Sequence, residues 1–194
     1  MPNHVTNRII VTGLKEDRDR LKDFLRFKHP GQEETPLSFN SFIPMPQELT
    51  ETTSGSGVVE SIYLVDPEMF EKAYEISQRT IWDEKMPIAA YEAKMLCNLM
   101  LTAKWEQPDA EPFPSREEAL EWFTEHNTKI LEFGERHAKA LRNTGYLDWY
   151  EWSIANWGTK WDAYSVRLEE TDDKLIYQFD TAWSPPTPII EKMV

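Results

Sequence analysis

Residues 163–180 read AYSVRLEETDDKLIYQFD, and they indicate the fold class more clearly than any other stretch of the chain. The first half alternates apolar and polar side chains, while Leu175, Tyr177 and Phe179 recur at every second position of the second half. The Thr-Asp-Asp-Lys sequence between the halves has the composition of a tight turn. The stretch therefore predicts a β-hairpin.

The start of the chain predicts a strand followed by a helix. Residues 7–12 are rich in β-branched side chains, and residues 15–27 carry apolar side chains at helical spacing before a Pro-Gly pair. Residues 32–57 look irregular, and the Thr, Ser and Gly content of residues 50–57 predicts a mobile loop. Residues 58–65 alternate weakly and predict a short strand or an extended segment.

Helices are predicted through the middle of the chain. The Asp-Pro pair at 66–67 has the residue types of an N-cap and a first turn, which predicts a helix to about Thr80. Ser115 opens a capping box, which predicts a helix to about Asn143. A helix at 88–104 is predicted between them. Its apolar side is expected to consist of Ala89, Ala93, Leu96, Met100 and Ala103.

The order of these elements predicts one α+β domain over residues 1–194. The expected architecture is a mostly antiparallel sheet with helices packed on one face, a helical insertion at about 66–143 and the hairpin at 163–180. A helix at 147–156 precedes the hairpin, and a further helix begins at 188–194.

Composition and charge exclude several classes of function. A formal net charge of −13 without a basic cluster repels phosphates, which predicts no binding to duplex DNA. The apolar runs are too short to span a membrane and the N-terminus lacks a targeting pattern, so we expect a cytoplasmic protein. The single cysteine, Cys97, predicts a buried core thiol in a reducing compartment. The acidity also suits a partner with a basic groove.

Catalytic and metal-binding motifs are missing from the sequence. It has no metalloprotease, serine-hydrolase or phosphate-loop motif. His126 and His137 lie about three turns apart on the predicted helix, which is too far for one metal ion. The sequence therefore predicts no catalytic residue, no metal site and no cofactor, and it favours a protein that is not an enzyme.

Four of the eight tryptophans lie within residues 149–161, and two interpretations of this segment remain open. The spacing of Trp152, Trp157 and Trp161 predicts that they form core. Alternatively, the rings form a platform for a base, a sugar or a protein anchor, and a nearby lysine holds a phosphate or pairs with an aspartate. The candidate binding residues are Asn156, Trp157, Lys160, Trp161, Asp162 and Trp183.

Four segments resemble, in the same order, the signatures of phage- and plasmid-encoded proteins of the YubB type. The segments are MPNHVTNRI at 1–9, FIPMPQEL at 42–49, WYEWSIANWGTKWDA at 149–163 and TAWSPPTP at 181–188. The resemblance implies a ferredoxin-like α+β domain of uncharacterised function, so it supplies no catalytic residue. The name describes shape alone, since one cysteine cannot hold an iron–sulfur cluster. Relatives continue past the last segment with a helix and a further strand.

The resemblance and the missing motifs favour a non-enzymatic accessory protein that binds a host or phage macromolecule, such as an unknown protein partner, in a bacterial host. One version is an inhibitor of host defence that presents acidic surface to a nucleic-acid-binding enzyme. The alternatives are a small-ligand or single-stranded nucleic-acid binding module that uses residues 149–161, and an enzyme without a recognisable motif. The hairpin edge and the apolar face of the last helix also predict a weak homo-oligomer.

Overall fold

The structure is a computed structural model that describes residues 3–31, 33–78, 86–104 and 111–193. The chain forms two compact units. The sheet unit comprises residues 1–45 and 150–194, and the helical unit comprises residues 46–149. The interpretation of the chain as one domain with a helical insertion stays a prediction.

The sheet unit is built around a three-stranded antiparallel sheet. Its strands are β1 (His4–Thr12), β4 (Tyr164–Glu170) and β5 (Lys174–Ala182), in the spatial order β1-β5-β4. The central strand is therefore β5, and β1 and β4 are edge strands among the described residues. The predicted hairpin is confirmed as β4 and β5, and the predicted first strand is confirmed as β1.

Alternation along the central strand separates a buried face of the sheet from an open one. Leu175, Tyr177 and Phe179 are buried on one face. On the other face Gln178 is exposed, although Ile176 is also buried. The buried side faces α1 (Lys15–Leu25) and α9 (Thr187–Met193), whose apolar residues line one groove together with Tyr177. The α+β class with an antiparallel sheet and helices on one face is confirmed.

The first helix ends at Leu25, two residues before the predicted end at Phe27. Arg26 has an extended backbone with φ −61° and ψ 137°, so the helical hydrogen-bond pattern stops there. The next two residues form β2 (Phe27–Lys28), which pairs with β3 (Glu34–Thr35). A single 3₁₀ turn (Phe39–Ser41) follows, so part of the segment predicted as irregular is ordered against the sheet unit.

The helical unit has its own apolar core. Its helices are α2 (Gln47–Thr50), α3 (Val58–Val65), α4 (Pro67–Ser77), α5 (Ile88–Ala103), α6 (Arg116–His126) and α7 (Thr128–Thr144). Two predicted caps are confirmed, because the side chains of Asp66 and Ser115 accept hydrogen bonds from the backbone N–H groups of Met69 and Glu118. The predicted end of α4 at about Thr80 lies outside the described residues.

The expected strand at residues 58–65 is wrong, because this segment is α3. The weak alternation that suggested a strand does not decide the conformation, because Val58, Ser61 and Ile62 are buried together in the helical unit. Helix α3 packs closely on α7, where Gly134 faces the backbone of Ser61 and leaves no room for a Cβ atom. Burial in this contact overrides the local strand preference.

The long helix predicted from residue 116 to 143 is also wrong, since the chain breaks at Asn127 into α6 and α7. Asn127 has φ −156° and ψ 75°, and its N–H still bonds to Phe123 while its carbonyl accepts from Ile130. Asn127 therefore ends one helix and starts the next. Gly145, with φ 81°, ends α7.

The predicted face of α5 is confirmed in part, because Met100 is buried and Leu96 and Ala103 pack against the core. Tyr91, Met95, Leu99 and Met100 are buried, whereas Ala89 and Ala93 are exposed. Cys97, expected to be buried, is only partly buried. The side of α5 that the sequence assigns to the core thus faces, in part, an open cleft.

Candidate functional site

Three aromatic rings surround one lysine at the surface of the sheet unit. The Nζ atom of Lys160 lies 5.0 Å from the ring centroid of Trp183, 5.3 Å from that of Trp161 and 5.4 Å from that of Tyr150. Each distance is within the range of a cation–π contact. Trp161 is 37% exposed and Trp183 is 46% exposed. We call Tyr150, Lys160, Trp161 and Trp183 the ring cluster.

Hydrogen bonds join the two segments that carry the cluster. The Thr159 Oγ1–H donates to the carbonyl of Ala182 at 2.8 Å, and the Ser184 Oγ–H donates to the carbonyl of Gly158 at 2.5 Å. Gly158 has φ 76°, and a Cβ there would lie 2.7 Å from Cδ of Pro188. The turn after α8 (Trp149–Trp157) is therefore held against the end of β5, which brings Lys160 and Trp183 together.

Two residues of this region have a left-handed backbone. Trp183 has φ 74° and Ser165 has φ 53°. A positive φ is energetically costly for residues other than glycine, and it persists where the surrounding structure enforces it. The N–H of Trp183 donates to the carbonyl of Asn3 at 2.8 Å, which ties this turn to the chain ahead of β1. Ser165 lies at an irregularity in the pairing of β4 with β5.

The ring cluster has unused hydrogen-bond donors. No described residue accepts a hydrogen bond from the Lys160 ammonium group or from the indole N–H of Trp161 or Trp183. Since the rings attract the ammonium without accepting from its N–H groups, those donors stay available to an incoming oxygen. The cluster can thus bind a carboxylate or a phosphate beside a flat or apolar group.

Two candidates from the sequence make hydrogen bonds within the fold. Trp157 is buried, its indole N–H donates to the carbonyl of Ile43 at 2.9 Å, and its ring contacts Phe39. The Asn156 side chain donates to the carbonyl of Trp152 in the preceding helical turn. The core interpretation therefore holds for Trp152 and Trp157 and is wrong for Trp161, which is exposed.

Asp162 also acts within the fold. Its carboxylate accepts from the Ser38 hydroxyl at 2.5 Å, from the Phe39 N–H at 2.7 Å and from the Asn40 side chain at 3.1 Å. The Nε2 atom of His29 lies 3.5 Å from the same carboxylate, and this contact raises the pKa of the histidine. The ion pair between Lys160 and Asp162, one of the two alternatives for this lysine, is absent among the described residues.

Tyr150 is the cluster residue that the candidate set from the sequence lacks. Its ring meets that of Trp183 edge to face, with centroids 5.9 Å apart. The tyrosine lies ten positions before Lys160 on α8, so only the turn at Gly158 brings the two side chains together. The aromatic content of residues 149–161 was the available signal, but spacing alone did not separate surface rings from buried ones.

The open face of the sheet continues from the cluster. The Trp161 ring contacts Tyr164, whose hydroxyl lies 2.5 Å from Nδ1 of His4 and donates to the carbonyl of Thr181. Burial of this hydroxyl raises the pKa of Tyr164. One row further along the sheet, Gln178 of the central strand lies between two exposed arginines, Arg8 on β1 and Arg167 on β4.

No group of three or more His, Cys, Asp or Glu side chains is placed to hold a metal ion within the described ranges. None of the helices described has the length and apolar character needed to cross a membrane.

The chain has no match among curated proteins and none among solved structures. A family model gives a match to its C-terminal part, which contains β4, β5, α9 and three of the four cluster residues. The matched residues, 157–194, are similar to a family described as a ferredoxin-like domain in Api92-like protein.

Proposed function

We propose that this chain is a non-enzymatic binding protein whose ring cluster contacts a protein partner. The observation that carries the proposal is the exposure of two indoles around one ammonium group in a strained, hydrogen-bonded turn. Tryptophan and tyrosine dominate the energetic centres of protein interfaces. On binding, the partner covers the rings of Trp161 and Trp183 and supplies a carboxylate to Lys160.

Charge favours a protein over a nucleic acid as the partner. The helical unit contains 20 acidic and 10 basic residues, a formal charge of −10, and the sheet unit contains 14 acidic and 11 basic residues, a formal charge of −3. Such a molecule repels phosphate backbones and attracts a basic groove. The resemblance to YubB-type proteins supports the wider proposal of a phage or plasmid accessory protein that acts on a host system in the bacterial cytoplasm.

Site-specific photo-crosslinking in the bacterial cell tests this function. A benzoylphenylalanine placed at Trp161 or Trp183 should capture one defined protein, whereas the same group at Phe24 should not. Phe24 is a matched control because it is 51% exposed on α1 and its ring contacts Phe42 instead of a cluster residue. Equal adducts at all three positions, or none at the cluster positions, would contradict the proposal.

A single-stranded nucleic acid is the second candidate, supported by the row Arg8–Gln178–Arg167 beside Tyr164 and Trp161. Aromatic rings next to arginines on a sheet can stack bases and contact phosphates. Anisotropy titrations with single-stranded DNA and RNA oligonucleotides at several salt concentrations test it. Binding that weakens with salt and requires Trp161 would support this candidate over a protein partner.

A further inference from the structure

A cleft in the helical unit has the composition of a binding site. It has a volume of about 570 Å³ and lies between the start of α4, the start of α5 and the start of α6. Ligand sites in proteins usually have volumes of about 300–1,000 Å³. On the α5 side, Ala89 and Ala93 are exposed to solvent and Ile88 is 41% exposed. The cleft therefore has an apolar wall that no described residue covers.

The hydroxyl of Tyr63 has no hydrogen-bond partner in this cleft. Tyr63 is only 7% exposed, and no described residue donates to or accepts from its hydroxyl. The hydroxyl of Tyr177 also lacks a partner but is sealed from solvent, whereas that of Tyr63 is accessible. The Tyr63 hydroxyl therefore opens to the cleft and can pair with a polar group that enters it.

Charge in the cleft is negative. Glu71 and Glu92 line it without a salt-bridge partner among the described residues. The cation present, Arg116, is already engaged, since its guanidinium donates to the carbonyls of Tyr63 and Leu64 at 2.6 Å and lies 3.6 Å from Glu117. Burial, together with the charge of Glu92, raises the pKa of Tyr63.

We infer that this cleft binds a small organic cation, an ammonium group carried on an apolar body. The ammonium donates to the Tyr63 hydroxyl and is attracted by Glu71 and Glu92. The apolar body covers the exposed wall of α5 at Ala89 and Ala93. Two aromatic rings, Tyr63 and Phe70, meet edge to face at 4.7 Å beside it and add cation–π attraction.

Three probes that share a phenylbutyl body distinguish the contribution of the charged group to binding from that of the apolar body. They are 4-phenylbutylammonium, 4-phenylbutanol and 4-phenylbutanoate, titrated into the ¹⁵N-labelled full chain at pH 7 and low salt. The ammonium probe should shift the backbone amides of Ala89 and Ala93 and should bind about tenfold more tightly than the alcohol, because a charged hydrogen bond is lost in the latter. The carboxylate probe should not bind.

Two variants test whether Tyr63 and Glu92 bind the ammonium group of the probe. Tyr63→Phe and Glu92→Gln should each weaken binding of 4-phenylbutylammonium by about fivefold, the effect of one hydrogen bond or one ionic contact. Glu68→Gln is the matched control, because this exposed glutamate of α4 does not line the cleft. Equal affinity for the three probes, shifts confined to other regions, or unchanged binding by the Glu92→Gln protein would overturn the inference even if Tyr63→Phe disturbs folding.

Discussion

The carboxylate of Asp162 accepts a hydrogen bond of 2.7 Å from the backbone N–H of Phe39, which lies 123 positions earlier in the sequence. Because the same carboxylate also bonds to Ser38 and Asn40, its removal leaves several donors without an acceptor. We expect Asp162→Ala to lower the free energy of unfolding by about 3 kcal/mol. Chemical denaturation measures this change, and Asp172→Ala in the exposed hairpin turn is the control that should stay near the wild type.

Protonation of His29 should couple stability to pH. The contact with Asp162 raises the pKa of His29 above its ordinary value of 6.5, so the folded chain holds the proton more tightly than the unfolded chain. The stabilisation is complete below pH 6.5 and is lost as the pH rises through the folded pKa. His29→Gln should therefore destabilise the protein more at pH 5.5 than at pH 8.5. An equal effect at both values would contradict this coupling.

Trp157 is buried and Trp161 is exposed, so their replacement by alanine should lower the stability by very different amounts. Trp157→Ala removes a buried ring and the hydrogen bond to Ile43, and should cost about 3–5 kcal/mol of stability. Trp161→Ala removes an exposed ring and should cost less than about 1 kcal/mol. Thermal unfolding compares them directly. Similar melting temperatures for the two variants would show that the ring of Trp161 is part of the core.

The close contact of α3 with α7 predicts a large effect of one methyl group. Gly134→Ala places a Cβ against the Ser61 carbonyl, and we expect a loss of about 2 kcal/mol although alanine favours a helix. Gly31→Ala is the comparison, since no atom lies within 4 Å of its Cβ and only its φ of 74° opposes the change. Denaturant midpoints should fall further for Gly134→Ala than for Gly31→Ala.

The sheet unit has an open edge at β4, which predicts weak self-association. The outer side of β4 is unpaired among the described residues, and such an edge can pair with a second copy. The charges of Arg167, Glu169 and Glu170 on this strand oppose tight pairing, so we expect dimers only at high concentration. Sedimentation equilibrium at high micromolar concentration should show a weak monomer–dimer equilibrium. A strictly monomeric protein would reject edge pairing.

The sequence correctly predicted those helices and strands whose formation depends on residues close together in the chain. The hairpin followed from alternation and a polar turn, and the caps at Asp66 and Ser115 followed from residue type alone. Helix α3 was misread because its burial against α7, far away in the sequence, decides its conformation. The break at Asn127 was missed because neither proline nor glycine marks it.

The ring cluster was only partly predictable for the same reason. Lys160 and Trp161 are neighbours, but Trp183 joins them through the pairing of β4 with β5 and the hydrogen bond from Thr159 to Ala182. The sequence alone shows which residue types are present, but it does not show which of them come together in the folded chain. The cleft at Tyr63 was not predicted at all, since an unsatisfied hydroxyl is visible only when all its neighbours are placed.

The pairing of β1 with β5 sets the order in which the nascent chain can mature on the ribosome. Thr6 bonds to Asp180, which is synthesised 174 residues later, so the first strand waits while the whole helical unit leaves the exit tunnel. The helical unit is continuous in sequence and can close first. Until the final segment emerges, β1 has no central strand to pair with, so the sheet of this unit closes last.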